Sequence, residues 1–449
     1  MDQSYMKEKP IVPLVLKMAL PMVVSMLVNS MYNIVDSFFV AQIGEDAMTA
    51  LSLVFPLQNL ANAVGVGFGI GIGAAVAYFL GAKKKGAANR ASALGLLLSA
   101  AHGAALCGLC MIFAEPFVRL FTDSEAVVQY SLEYFYVVIA FAPVITLEMA
   151  FEKILQAVGK MKTTMFCMAI GAVINIVLDP LFISGAGFIP AMGVWGAALA
   201  TGIGQSIALA CYAVVFFKAK LPVRLRVGKS DPEEKICRRL YRVGVPAALN
   251  LALPSFLITA LNAVLAAYSE TYVLILGIYY KLQTFIYFTV SGIIQGIRPL
   301  VGYNLGARRG DRVLGIFRFT LLLSVGVMAV GTLLCLILPE ALIGLFTVSE
   351  TTRAAGGVAL RIISAGFIVS ALSVVIGGTF EGLGKGMPSL IISLIRYLVI
   401  IPVALLMTLP LGAAGVWNAF WITECIAAAF SCLMFARYSK TLKTKAGHA

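Results

Sequence analysis

The chain has little of what soluble catalysts use. Histidine occurs twice, at His102 and His448, so a histidine metal centre or a histidine-activated nucleophile cannot be assembled. Its eight cysteines are scattered, and no pair has the spacing and place of a structural disulfide or a metal knuckle. Cys107 and Cys110, one helical turn apart in an apolar stretch, read as small buried residues. A glycine-rich ATP loop ending in Lys and Ser or Thr is missing, so any transport runs on an ion or concentration gradient unless a separate subunit supplies energy. Asp36 and Asp179 lack the glycine-containing signature of an aspartyl protease pair. With no nucleophile, base or metal set at matched depth, the chain reads as no enzyme, and no cofactor is expected. Charged residues are also scarce, at 12% of 449 positions, which excludes an ordinary soluble protein.

What is present is apolar. Hydrophobic residues make up 60% of the chain, and the mean hydropathy is +0.95. A span needs about 20 apolar residues, and such segments lie near 14–40, 49–79, 92–114, 129–158, 163–184, 193–217, 244–268, 272–303, 315–338, 355–383, 388–408 and 413–436. The first is too long for a signal-peptide core and has no small-residue cleavage pattern after it. The fold predicted is an all-α polytopic membrane protein with twelve transmembrane helices. The net charge of +13 is explained by topology and not by nucleic acid, because 26 of the 34 Lys and Arg fall in alternate connections and termini. With the amino terminus inside, the outer loops keep only Arg119 and Arg353. Both termini are then cytoplasmic and the chain sits in the plasma membrane. Residues 218–242, with nine basic residues, read as a cytoplasmic linker between lobes at 1–217 and 243–449, facing anionic inner-leaflet lipids.

The lobes are copies. Pro21 returns as Pro246, Leu80-Gly81-Ala82-Lys83-Lys84 as Leu305-Gly306-Ala307-Arg308-Arg309, and Gly159-Lys160 as Gly384-Lys385, all 225 residues on. After a slip to 222 residues, Gly193-Val194-Trp195 returns as Gly415-Val416-Trp417. Since basic turns sit at the same point of halves with an even number of spans, the two six-helix repeats are parallel.

Each charge inside a span costs roughly 2.5–3.5 kcal/mol on insertion scales and calls for a reason. Glu152, Lys153, Arg318 and Glu381 lie near predicted span ends, where snorkelling or interface pairing suffices. Asp36 differs, because Ser25, Asn29, Asn33 and Asp36 form one polar stripe at helical spacing. On the fifth span Asn175 and Asp179 share a face with Gly171, ahead of Pro180, and Thr201 on the sixth lies near the same depth. Two carboxylates, an amide and a hydroxyl are hard oxygen donors suited to H+ or Na+; the alternative is a buried network that only fixes packing. The repeat is an internal control. Asp36 maps to Leu261, Asn175 to Tyr397 and Asp179 to Ile401, while Pro180 keeps Pro402 and Thr201 keeps Thr423. Packing alone does not require that asymmetry, so ion coupling is expected in the first lobe. Candidate substrate-facing residues are Asn29, Asn33, Glu148, Tyr279, Lys281, Gln283 and Glu424, with Glu148 and Glu424 as alternative partners for Lys281 or for substrate. Arg298, followed by Pro299, is expected to tie a helix end to carbonyls. The glycines at 65, 67, 69, 71 and 73 fit no phosphate loop and predict close helix approach or a hinge.

Twelve spans in two parallel repeats, the stretch from Asn29 to Gly44 containing Val35-Asp36-Ser37-Phe38-Phe39-Val40, and the twin Leu-Gly-Ala turns together resemble the multidrug and toxic compound extrusion (MATE) family. The resemblance covers nearly the whole chain. It implies a V-shaped, two-lobed antiporter exchanging drugs for H+ or Na+, with Asp36, Asn175, Asp179 and Thr201 similar to the first-lobe cation site of a prokaryotic branch. A second branch places carboxylates on the seventh and tenth helices, where this chain has Pro254 and Ser370. The function expected is export of amphipathic, often cationic, drug-like compounds by a monomer. The rival is a flippase for lipid-linked substrates of a related fold, which needs several basic groups in its cavity; Lys281 and Arg396 are the chief central ones.

Overall fold

The computed structural model describes residues 3–185, 187, 189–225 and 235–446, so the middle of the basic linker, 226–234, lies outside the described residues. Among the described residues the regular elements are helices: α1 (Tyr5–Glu8), α2 (Ile11–Ala41), α3 (Glu45–Gly81), α4 (Lys85–Arg119), α5 (Glu125–Ala140), α6 (Ala142–Ala157), α7 (Met161–Ile183) and α8 (Gly193–Lys218). There follow α9 (Ile236–Ala266), α10 (Glu270–Gly306), α11 (Gly310–Ile337), α12 (Pro339–Gly344), α13 (Glu350–Ser364), α14 (Phe367–Gly382), α15 (Gly386–Leu398), α16 (Ile400–Leu411) and α17 (Ala414–Ala446). Ten segments are long and apolar enough to cross a membrane, α15 with α16 counting as one. Two bent pairs complete twelve, α5 with α6 at 46° and α13 with α14 at 51°.

Those bends are absent from the sequence reading, which runs the fourth and tenth spans straight through. Both breaks fall at equivalent places, Phe141 before Ala142-Pro143 and Ala365-Gly366 before Phe367. Pro143 has no N–H to donate to the preceding turn, so the ladder stops there. The equivalent break carries Gly366, with Trp421 close behind it.

Repeated sequence yields repeated local geometry. At the twin turns Lys83 and Arg308 adopt φ values of 60° and 58°, the left-handed conformation that ends a helix. Lys84 N–H donates to Phe79 and Arg309 N–H to Asn304, both at 2.9 Å, satisfying carbonyls the helix end would orphan. Gly159 and Gly384 close the other conserved pair of helix ends at φ 79° and 72°.

The chain divides into two compact units, one of Met1–Gln3 and Val24–Ala248 and the other of Ser4–Val23 and Leu249–Ala449. The division therefore runs through α2 and α9, not through the basic linker. Glycines explain why. In the first unit a Cβ on Gly67 or Gly71 would overlap Ala248, Leu240 and Gly244 of α9. In the second, a Cβ on Gly292 or Gly296 of α10 would overlap Met22, Val23, Met18 and Ala19 of α2. These are the same contacts 225 residues apart. Gly65, Gly69 and Gly73, one turn apart on the opposite face of α3, meet Thr146, Met149 and Lys153 of α6 instead. A two-residue step turns about 200° around a helix, so the alternating glycines serve two neighbours.

A third close crossing sets the candidate site. Gly171 of α7 lies against Gly204 and Ala208 of α8, and Gly204 against Gly171 and Asn175. Gly204→Leu is expected to force these helices apart at a cost of about 1–3 kcal/mol or more. Thermal unfolding of the purified variant, with a clear drop in midpoint, checks this; an unchanged midpoint contradicts the crossing.

Candidate functional site

Every donor in the first-lobe set belongs to the first unit. Asn175 and Asp179 stand one turn apart on α7, and the glycine crossing brings α8 close enough for Thr201 to reach the same point. The Asn175 Nδ2 donates to Asp179 Oδ1 and to Thr201 Oγ1, both at 3.2 Å. All three residues are buried, Asp179 completely. Yet Asp179 Oδ2 and Asn175 Oδ1 are buried with no hydrogen-bond partner. Such orphaned oxygens are costly in a low dielectric, and a carboxylate more so than an amide.

Asp36 arrives from α2. It lies close enough to Asp179 to act on its charge, and its own Oδ1 is likewise buried and unpartnered. Three unsatisfied oxygens, two of them from carboxylates, thus share one region of negative potential. Hard oxygens in that arrangement have the chemistry to hold a proton or Na+. Among the described residues no group of three or more His, Cys, Asp and Glu converges as a transition-metal cage requires.

The structure adds residues that sequence reasoning missed. Tyr32, one turn before Asp36, stands within electrostatic reach of Thr201, Asp36, Asp179 and Glu148. Tyr134 of α5 stands within electrostatic reach of Gln58 of α3 and of the same two aspartates. Tyr32 had a signal, its i−4 spacing from Asp36; Tyr134 and Gln58 had none, because each reaches the site from another helix.

Other candidates scatter. Within the polar stripe Ser25 is buried and Asn29 half-buried, whereas Asn33 is exposed and donates to the Asn29 carbonyl at 2.7 Å. Glu148 is buried on α6 next to Glu152 and Lys153, and its Oε2 has no partner. Lys153 does not snorkel: it and Glu152 are both buried and paired at 3.0 Å, with Gln156 also donating to Glu152.

In the second unit the candidates of the eighth span point to different sides of α10. Tyr279 is core, packed on Phe367 and Phe420. Lys281, two residues on and so on the far side of α10, is exposed, with its ammonium 5.8 Å from the Phe346 ring centroid. Gln283 returns to the Tyr279 face and hydrogen-bonds Tyr287. Glu424 is the partner of Arg396, at 2.6 Å, which decides one of the alternatives left open for Lys281. Arg298 ties no helix end. It pairs with Glu381, which also accepts from Asn250 at 3.3 Å and Ser389 at 3.0 Å.

Comparison with known proteins identifies the scaffold that carries these residues. The MatE family profile matches residues 21–181 and again 246–406, reproducing the 225-residue offset. The multidrug export protein MepA of Staphylococcus aureus (strain N315) is 24% identical over 432 residues, covering 96% of this chain and 94% of its own. Among solved structures, a MATE protein in complex with MaL6 superposes with a TM-score of 0.93 at 24% identity, over 99% of this chain and 100% of the other. The outward-facing conformation of a multidrug resistance MATE family transporter of the MOP superfamily also gives 0.93, at 24% identity and over 99% of both chains. At that identity the superpositions establish the two-lobed fold.

Proposed function

The chain belongs to the MatE family of multi-pass membrane transporters, and from that premise we propose that it is a secondary active antiporter exporting amphipathic, often cationic compounds in exchange for H+ or Na+. The relative named above as a multidrug export protein supports small drug-like molecules as the exported class. The site is Asp36, Asn175, Asp179 and Thr201, and the monomer works in the plasma membrane with both termini in the cytoplasm.

One observation carries the reading: three buried oxygens, Asp36 Oδ1, Asp179 Oδ2 and Asn175 Oδ1, lack any partner in one electrostatically connected region. Intramembrane carboxylates are functional by default, and here the missing partner is the exchanged ion. The remaining donors favour H+ over Na+. A proton needs one carboxylate oxygen, whereas Na+ needs a shell of several oxygens, two of which, Asp179 Oδ1 and Thr201 Oγ1, here also accept hydrogens from Asn175. The flippase alternative has one basic group fewer to offer, since Arg396 is paired with Glu424 at 2.6 Å.

The test is export of a cationic dye by proteoliposomes. Transport is expected under an imposed pH gradient without Na+. Transport only under a Na+ gradient at equal pH refutes H+ as the coupling ion, and none in either condition refutes antiport.

A further inference from the structure

The helices of the second unit that correspond to α7 and α8 carry a different charge arrangement. The repeat aligns Asn175 with Tyr397 and Thr201 with Thr423, and the residues next to them in the second unit are Arg396 and Glu424. Their equivalents in the first unit are Ile174 and Gly202. Arg396 Nε donates to Glu424 Oε1 at 2.6 Å, and its Nη2 donates to Tyr287 Oη at 3.0 Å. Tyr287 in turn lies 2.8 Å from the Ser370 hydroxyl, which donates to the Phe367 carbonyl. The two charged side chains are only 11% and 12% exposed. Arg396 is also flanked by the rings of Tyr287 and Tyr397, at 5.2 and 5.6 Å.

The pair is incompletely satisfied. Glu424 Oε2 and Thr423 Oγ1, the oxygen corresponding to Thr201, are both buried without a hydrogen-bond partner. The groups that act on Glu424 are Arg396 from α15, Ser373 from α14 and Tyr279, Tyr280 and Tyr287 from α10, so Arg396 is its sole cationic neighbour among the described residues.

We propose that the second lobe holds a latent cation site at Glu424, kept closed by the guanidinium of Arg396 acting as a tethered cation. The first lobe leaves its carboxylates open to an exchangeable ion; the second supplies the positive charge from its own chain. Arg396 is then the residue that confines coupling to one lobe. Its guanidinium cannot be deprotonated, so the internal cation persists at every pH at which the protein is folded. Truncating one partner leaves a buried charge uncompensated, and such a charge takes up an ion from outside. In Arg396→Gln the carboxyl of Glu424 gains a proton, or Na+ where Na+ is abundant, at the place Arg396 leaves.

The inference rests on the first-lobe reading, and infrared spectroscopy of the purified protein tests the two separately through the carbonyl stretch of protonated carboxylic acids. In Na+-free buffer near pH 7, R396Q is expected to gain one protonated carboxylic acid per chain, the double variant R396Q/E424Q to lose it again, and R396K to match wild type. E424Q alone is expected to leave the wild-type signal unchanged, because the guanidinium of Arg396 pairs with the Glu424 carboxyl at 2.6 Å and takes the place of a proton there. A signal that falls in E424Q overturns the proposal, as does an R396Q spectrum identical to wild type in folded protein. If R396Q does not fold, E424Q still decides. A signal that responds to pH in wild type but not in D36N or D179N supports the first-lobe site, whatever Arg396 does; no change in D36N and D179N defeats that reading without touching this one.

Discussion

Asp36→Asn is expected to abolish gradient-driven export while leaving the protein folded in the membrane. The amide keeps the shape of the carboxylate but neither titrates nor carries charge. In a one-for-one exchange, one pH unit supplies about 1.4 kcal/mol, or about a tenfold accumulation of substrate. The variant should reach a concentration ratio of about one, the value of an uncoupled pathway. Folding should survive because Asp36 Oδ1 makes no hydrogen bond that the change would break. Steady-state accumulation of several substrates in proteoliposomes measures the first effect, and thermal unfolding the second. Wild-type accumulation by the variant, across several substrates, removes Asp36 from the coupling step.

That result bears on why a duplicated scaffold is asymmetric. The repeats conserve what packing needs: the glycine crossings at 67 and 71 and at 292 and 296, the left-handed turns at Lys83 and Arg308, and the bend in the fourth span of each half. They do not conserve charge. Where α7 and α8 present an amide, a carboxylate and a hydroxyl, α15 and α17 present Arg396 and Glu424 locked together. A carboxylate site with no internal cation must exchange one with solvent, and a site that holds its own cation need not. On the proposed function, the divergence in side chains on a common backbone confines energy coupling to the first lobe.

How far this could be read without coordinates follows from the range of each signal. Hydrophobic runs and the spacing of repeats are local, so the spans, their pairing and the stripe carrying Asp36 were legible. Asn175 and Asp179 were legible together for the same reason, being four residues apart on one helix. Pairings between helices were not. Glu424 and Arg396 are 28 residues apart and Glu381 and Asn250 are 131 apart; no spacing rule links them. Lys153 was placed at a span end because hydropathy fades there, yet a neighbouring carboxylate keeps it buried. The bends escaped because Phe141, Ala365 and Gly366 are ordinary residues in long apolar segments, and Pro143 alone does not distinguish a kink from a bundle helix that tolerates proline.

Asn175, Asp179 and Thr201 should behave as one unit with Asp36. A single amide nitrogen bonds both Asp179 and Thr201, so removing Asn175 deprives both at once, and removing either partner leaves the amide free to turn away. Asn175→Ala, Asp179→Ala and Thr201→Ala are each expected to lower coupled export by about tenfold or more. Their double combinations should be no worse than the more damaging single, an interaction energy of about 1–3 kcal/mol for residues in direct contact. Independent contributions would multiply, giving about a hundredfold loss in the doubles by the same rule. The measurement is initial export rate in proteoliposomes at a fixed gradient, for three singles, three doubles and Asp36→Asn combined with each. If losses multiply, Asp179 is a structural residue beside Pro180, and the site contracts to Asp36. If the doubles match the singles, the orphaned oxygens of Asp36, Asp179 and Asn175 bind a single ion, and removing any wall of that site empties it.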